Sequence, residues 1–203
     1  MFTLDNLFLL LTGLLAAYLC WVFYQRYTQN KALFNLYYLM GFAVLLISGL
    51  LLIFHPSHLG LLASPYVLTV ASLIPLGISM GVAEEYYPAW KTYFKWFAAI
   101  GFVAIAVSSI GGMDLLKKIS VPLFHGVAGL VIFLGPFLAK GAPKGFFWVG
   151  IGGLLIGLGG IALAFISVGK QLLFFSPEFV MLILTPLLLL MTGAFALGFT
   201  RKG

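Results

Sequence analysis

The chain has little charge, a single cysteine and no long polar stretch, and each shortage removes a class of function. Charged residues make up 8% of its 203 residues, against about 25% in soluble globular domains, so a water-soluble globule is excluded. One cysteine, Cys20, cannot form an internal disulfide, a Cys-x-x-Cys redox pair or a zinc knuckle. A soluble catalytic or receptor module needs upwards of about 50 residues in one piece, and no polar segment here approaches that. The first six residues include Asp5 and no base, unlike the basic start of a cleaved signal peptide. The first apolar run is therefore expected to be a retained helix.

What is present is apolar. The hydrophobic fraction is 63% and the mean hydropathy +1.14. Read against Pro, Gly and charge, the runs fall at 7–25, 33–54, 65–83, 92–112, 122–139, 146–168 and 178–199. Each approaches the roughly 20 residues a helix needs to cross about 30 Å of hydrocarbon, about twice the length of a barrel strand. Only helices and closed barrels satisfy their backbone in lipid. The expectation is an all-α integral membrane protein, one transmembrane domain over 1–203, folded as a seven-transmembrane-helix bundle.

Charge sets an orientation. With those spans, Arg26, Lys31, Lys91, Lys95, Lys140, Lys144, Arg201 and Lys202 share one side, and Lys117, Lys118 and Lys170 the other, eight and three of the eleven basic residues. The positive-inside rule then places the N-terminus outside and the C-terminus in the cytoplasm. The net charge of +6 reads as a topology signal, not as a nucleic-acid surface, because the bases sit singly or in pairs between apolar runs. Four tryptophans, Trp21, Trp90, Trp96 and Trp148, fall near the inner side, with Tyr24, Tyr27, Tyr37, Tyr38, Tyr86, Tyr87 and Tyr93. This one-sided belt reads as inner-leaflet anchoring or as a partner's seat. Basic pairs at Arg26/Lys31, Lys91/Lys95 and Lys140/Lys144, each followed by an early glycine in the next helix, divide the chain into three helical hairpins plus a final helix. Small size and minimal loops suggest a prokaryotic cytoplasmic membrane.

No Asp, Glu, Lys or Arg falls near the middle of any span, which argues against a proton- or ion-coupled carrier. The last span has no lysine to hold retinal. All three histidines are expected on the outer side: His55 and His58 in His-Pro-Ser-His after the second span, and His125 about one turn into the fifth. Brought together, they form a candidate site for haem b or a metal ion, with Asp114 and Glu178 as further oxygen ligands. His125 needs a hydrogen-bond partner or a ligand wherever it sits in the apolar layer. Gly150, Gly153, Gly157 and Gly160 form a stripe on the sixth span, suited to a helix of the same bundle, to another subunit or to a flat cofactor. Pro75, Pro136 and Pro186 each free a carbonyl and can kink a helix, either to line one cavity or as ordinary shape adjustment. Glu84 and Glu85 form either a binding patch or a loop neutralised by Lys91 and Lys95.

The leading functional expectation is a non-catalytic membrane subunit, partnered by lipid and by other membrane subunits or further copies of itself, that holds a lipid-soluble or haem-type cofactor. The assembly it joins could be an energy-transducing one. A small channel or facilitator, and a redox protein with histidine ligands, are the alternatives.

Overall fold

The computed structural model describes residues 3–55, 60–61, 64–167 and 177–201. Among them there is no strand. The helices are α1 (Leu4–Asn30), α2 (Leu33–Phe54), α3 (Pro65–Tyr86), α4 (Lys91–Ile110), α5 (Asp114–Leu138), α6 (Phe147–Ser167) and α7 (Pro177–Thr200). Six of the described helices are long and apolar enough to cross a membrane: α1 to α5, and α7 from Leu182. α6, entered through a single 3-10 turn at Lys144–Phe146, falls short of that length over the stretch Lys144–Gly160.

Local chemistry fixes the ends. Thr3 Oγ1 accepts from Asn6 N at 3.3 Å, the N-cap bond that supplies one of the orphan donors of a first turn. α1 stops at Lys31, whose φ of 53° places it in the left-handed region while its N–H donates to Tyr27 O. Ser64 precedes Pro65 at the start of α3, where a missing N–H breaks no helical bond. Gly112 (φ 65°) turns the chain between α4 and α5, a conformation glycine adopts without steric penalty.

α3 breaks at Ser72, separating Pro65–Ala71 from Leu73–Tyr86. Pro75 has no N–H to offer the carbonyl of Ala71. Nearby hydroxyls serve the loosened turns, Ser72 Oγ donating to Thr69 O at 2.7 Å and Ser79 Oγ to Pro75 O at 2.6 Å. Pro122 and Pro136 lie within α5 and Pro186 within α7.

Two helices run further than the composition suggests. α1 begins at Leu4, so Asp5 lies inside its first turn. α5 begins at Asp114, eight residues before Pro122, because Lys117 and Lys118 are carried on a helical end and do not interrupt it. His125 is therefore three turns into α5.

The helices close a ring. α1 packs on α2, α2 on α3, α3 on α5, α5 on α6, α6 on α7 and α7 on α1, while α4 lies outside it against α3 and α5. One end of the bundle is filled with aromatics: Phe23, Tyr38, Phe42 and Phe195 are fully buried and Phe199 nearly so. Phe23 and Phe199 meet edge to face at 5.1 Å and 81°, an arrangement that contributes about 0.5–1.5 kcal/mol beyond burial. The other end of the ring is hollow.

Candidate functional site

The hollow is a cavity of about 150 Å³ walled by all six ring helices. α1 supplies Leu9 and Thr12, α2 Leu45, Ser48 and Leu52, α3 Ala71 and Ile74, and α7 Leu184, Leu188 and Met191. His125 from α5 completes the wall beside Gly159 and Gly160 of α6. Pro75 also lines it, but Pro136 and Pro186 do not, so one of the three expected kinks shapes the space.

His125 is the unusual group. Its Nε2 is fully enclosed and has no hydrogen-bond partner among the described residues. Gly160 makes room for the ring, since a Cβ there would lie 2.6 Å from Nε2. Beside it Gly126 faces open space. The wall's other polar side chains are Thr12 and Ser48. Thr12 Oγ1 already donates to Phe8 O at 2.8 Å. An imidazole carries one donor and one acceptor when neutral, and leaving either unmatched costs about 1–3 kcal/mol.

His55 ends α2 and is exposed, its backbone N–H bonding Leu51 O at 3.0 Å. Asp114 begins α5, eleven residues from His125, which at 1.5 Å per residue is about 16 Å along the axis. Asp114 and His125 therefore cannot share an ion. His58 and the side chain of Glu178 fall outside the described residues. Among the described residues no group of three or more His, Cys, Asp or Glu could hold a metal.

The glycine stripe faces its own bundle. A Cβ on Gly153 would stand 2.6 Å from the backbone of Ile132 and Phe133, and Gly150 meets the carbonyl of Phe133 and the ring of Phe137. A Cβ added to Gly129 would lie 3.9 Å from Gly157 Cα, and one added to Gly157 would meet nothing within 4 Å. The stripe thus seats α6 on α5 and ends by accommodating His125.

The paired acids separate. Glu84 bonds Lys95 Nζ at 2.7 Å and approaches Lys91 at 3.7 Å, the neutralised arrangement. Glu85 turns inward instead, where Tyr38 Oη donates to its Oε2 at 2.9 Å. Arg26 donates to Phe199 O at 2.7 Å, tying the ends of α1 and α7 beside the aromatic cluster. Tyr87, just beyond α3, donates to Gly135 O at 2.7 Å, and burial raises its pKa above the ordinary tyrosine value. At the hollow end Thr185 Oγ1 donates to Asp5 Oδ1, joining α7 to α1. Neither Thr12 nor Ser48 is marked by sequence alone, because small hydroxylated residues are common in apolar helices.

The class these features define is, among the described residues, an all-helical bundle with six membrane-length apolar helices and a cavity within it, the make-up of an integral membrane protein. Comparison with family models, with curated proteins and with solved structures finds no match.

Proposed function

We propose that the protein is a non-catalytic, seven-span integral membrane subunit whose central cavity holds one lipid-soluble molecule. The observation that carries this reading is an apolar cavity walled by six helices, with His125 in its wall, whose buried Nε2 has no partner among the described residues. Pockets of this kind, mostly apolar with a few placed polar groups, are the usual form of a small-molecule site.

The N-terminus lies outside and the C-terminus in the cytoplasm, by the eight-to-three division of basic residues, and the membrane is the cytoplasmic one of a prokaryote. Assembly with other membrane subunits or a second copy is supported by α4. Outside the ring, it exposes Tyr93, Trp96, Ile100, Val103, Val107 and Ile110 at alternating steps of three and four, the spacing of a helix-packing seam.

The size of the cavity favours a small ligand over haem. About 150 Å³ is below the roughly 300–1,000 Å³ of sites for drug-sized molecules. The aromatic end weighs against a channel, because Phe23, Tyr38, Phe42, Phe195 and Phe199 fill the ring beyond the cavity.

The test is purification in mild detergent, organic extraction and mass spectrometry, with an oxidised-minus-reduced spectrum of the same sample. One non-phospholipid compound near stoichiometric amount, without a Soret band, is expected. A Soret band that shifts on reduction would replace this reading with the haem one, and retention of bulk lipid alone would remove the ligand from it.

A further inference from the structure

The wall of the cavity is almost all hydrocarbon. Aliphatic residues, glycines, Met191 and Pro75 make it up, and no Asp, Glu, Lys or Arg lines it. Its polar members offer a ligand little. The Thr12 hydroxyl donates to its own helix, the Nε2 of His125 is enclosed against Gly160, and the third is a lone serine, Ser48. A polar or charged group placed here would give up its bonds to water with little return. An occupant is therefore hydrocarbon wherever it is enclosed. A space of about 150 Å³ takes benzene in an engineered apolar core, so the enclosed part is roughly six carbons.

Hydrocarbon surrounds a membrane helix bundle, and the break in α3 gives it a way in. On the Tyr86 side of Ser72, Leu73–Tyr86 packs along α2; on the other side, Pro65–Ala71 leans on α4 and meets α2 at few points. The cavity lies where the two helices diverge. Ala71, Ile74 and Pro75 line it from α3, and Leu51 lines it from α2 while 48% exposed. A side chain that borders the interior and also faces outward marks a wall one residue thick. The kink thus leaves a side opening between α2 and α3, within the apolar span of both helices.

From these observations we infer that the cavity takes the end of a lipid's hydrocarbon chain, admitted sideways between α2 and the Pro65–Ala71 segment of α3, while the polar head stays in the bilayer. The inference rests on the reading of this cavity as a ligand site and adds which part of the ligand is enclosed and by which route. Moving a chain end from lipid into the cavity exchanges one apolar medium for another, so the hydrophobic effect contributes nothing. The gain is the dispersion contact that wall atoms facing a void lack. A straight alkyl chain and an isoprenoid chain share this chemistry.

The experiment uses the whole chain in nanodiscs of saturated phosphatidylcholine with a trace of photoreactive probe, the labelled residues being read by mass spectrometry. The probes are a long-chain alcohol with a diazirine at its chain end, an isoprenoid alcohol labelled in the same way, the long-chain alcohol with the diazirine beside its hydroxyl, and a small phenyl diazirine. Ile74 and Met191, buried in the wall, report the cavity; Ile100 and Val103, exposed on α4, report the lipid-facing surface. Expected is labelling of Ile74 and Met191 by a chain-end probe and not by the head-end probe, lost in Ala71→Leu while Ile100 and Val103 stay labelled. The chain-end probe that labels the cavity more names the source as alkyl or isoprenoid. Cavity labelling by the phenyl diazirine alone, equal labelling by head-end and chain-end probes, or chain-end labelling that persists in Ala71→Leu overturns the chain assignment and leaves the cavity reading in place. No labelling of Ile74 and Met191 by any probe overturns the cavity reading as well. If Ala71→Leu does not fold, the comparison of chain-end with head-end probes in wild type decides the matter.

Discussion

Adding one methyl group to the glycine stripe should have opposite effects at Gly153 and Gly157. At Gly153 the new Cβ would meet Ile132 C and Phe133 N at 2.6 Å and Ile132 Cγ2 at 2.8 Å. Ordinary contacts between such atoms lie near 3.5–4.0 Å, and a backbone cannot swing aside as a side chain can. α5 and α6 must therefore part by about 1 Å, a gap that forfeits a quarter to a half of each contact's dispersion energy. In lipid, helices associate largely through that packing. Overpacking of this kind costs about 1–3 kcal/mol, offset in part by the roughly 0.5–1 kcal/mol gained when alanine replaces a mid-helix glycine. At Gly157 the added Cβ meets nothing within 4 Å, and only the gain remains. With about 2–4 °C per kcal/mol for a chain of this size, Gly153→Ala should unfold several degrees below wild type and Gly157→Ala at or slightly above it. Cys20, the only cysteine and partly buried, provides the assay through a thiol-reactive fluorogenic dye during heating in detergent. Equal transitions for the two variants, or a Gly153→Ala transition at or above wild type, would refute the packing argument.

Tyr38→Phe removes one of the two tyrosine hydroxyls that serve Glu85, Tyr86 supplying the other, and should lower stability by about 1 kcal/mol, the size of one net hydrogen bond; Tyr38→Phe/Glu85→Gln should lose less than Tyr38→Phe in the same melt. Tyr87→Phe should cost about 1 kcal/mol near neutral pH through its bond to Gly135 O. Because burial raises the folded pKa of Tyr87 above the ordinary tyrosine value of about 10, the folded state holds its proton after the unfolded chain has lost it. Stability should therefore fall as pH rises past about 10, less steeply in Tyr87→Phe than in wild type, and parallel curves would count against the shift. Thr185→Val leaves Asp5 without its α7 donor and should speed hydrogen exchange at the start of α1 while leaving the aromatic end unchanged.

Element type was legible throughout, because apolar runs of membrane length admit little else, whereas depth and neighbours were not. Pro122 reads as a first-turn residue and so shortens α5. The extra two turns that begin at Asp114 become visible only when Lys117 and Lys118 are seen as side chains carried on a helix. That shift moved His125 inward and away from Asp114. Asp5 was likewise read as lying ahead of the first span, and its bond to Thr185 depends on two helices 180 residues apart. The stripe Gly150, Gly153, Gly157 and Gly160 was legible as a packing device because its period is that of a helix face. Which helix it faces is a tertiary fact. The separation of Glu84 from Glu85 follows from helix geometry, since adjacent residues point about 100° apart, and only one of them can face the lysines of α4.

The two halves of the ring place stability and binding at opposite ends. A fully enclosed void costs about 24 cal/mol per Å³, so about 3.6 kcal/mol is the upper bound for this partly open cavity of about 150 Å³. That is a large share of the 5–15 kcal/mol by which proteins are usually stable. The enclosed His125 Nε2, without a partner among the described residues, adds its own penalty in the same place. A bundle selected for stability alone would close the gap with larger side chains, and Ala71 is the simplest position to do it. Ala71→Leu extends three further carbons from the cavity wall and should raise the unfolding temperature of the ligand-free protein while abolishing ligand-dependent stabilisation. Both changes should appear in one melt series run with and without added ligand. If Ala71→Leu destabilises the ligand-free chain, the space is too constrained for three carbons and the void energy has been overstated. If it stabilises the chain and ligand still binds, the ligand does not occupy this cavity.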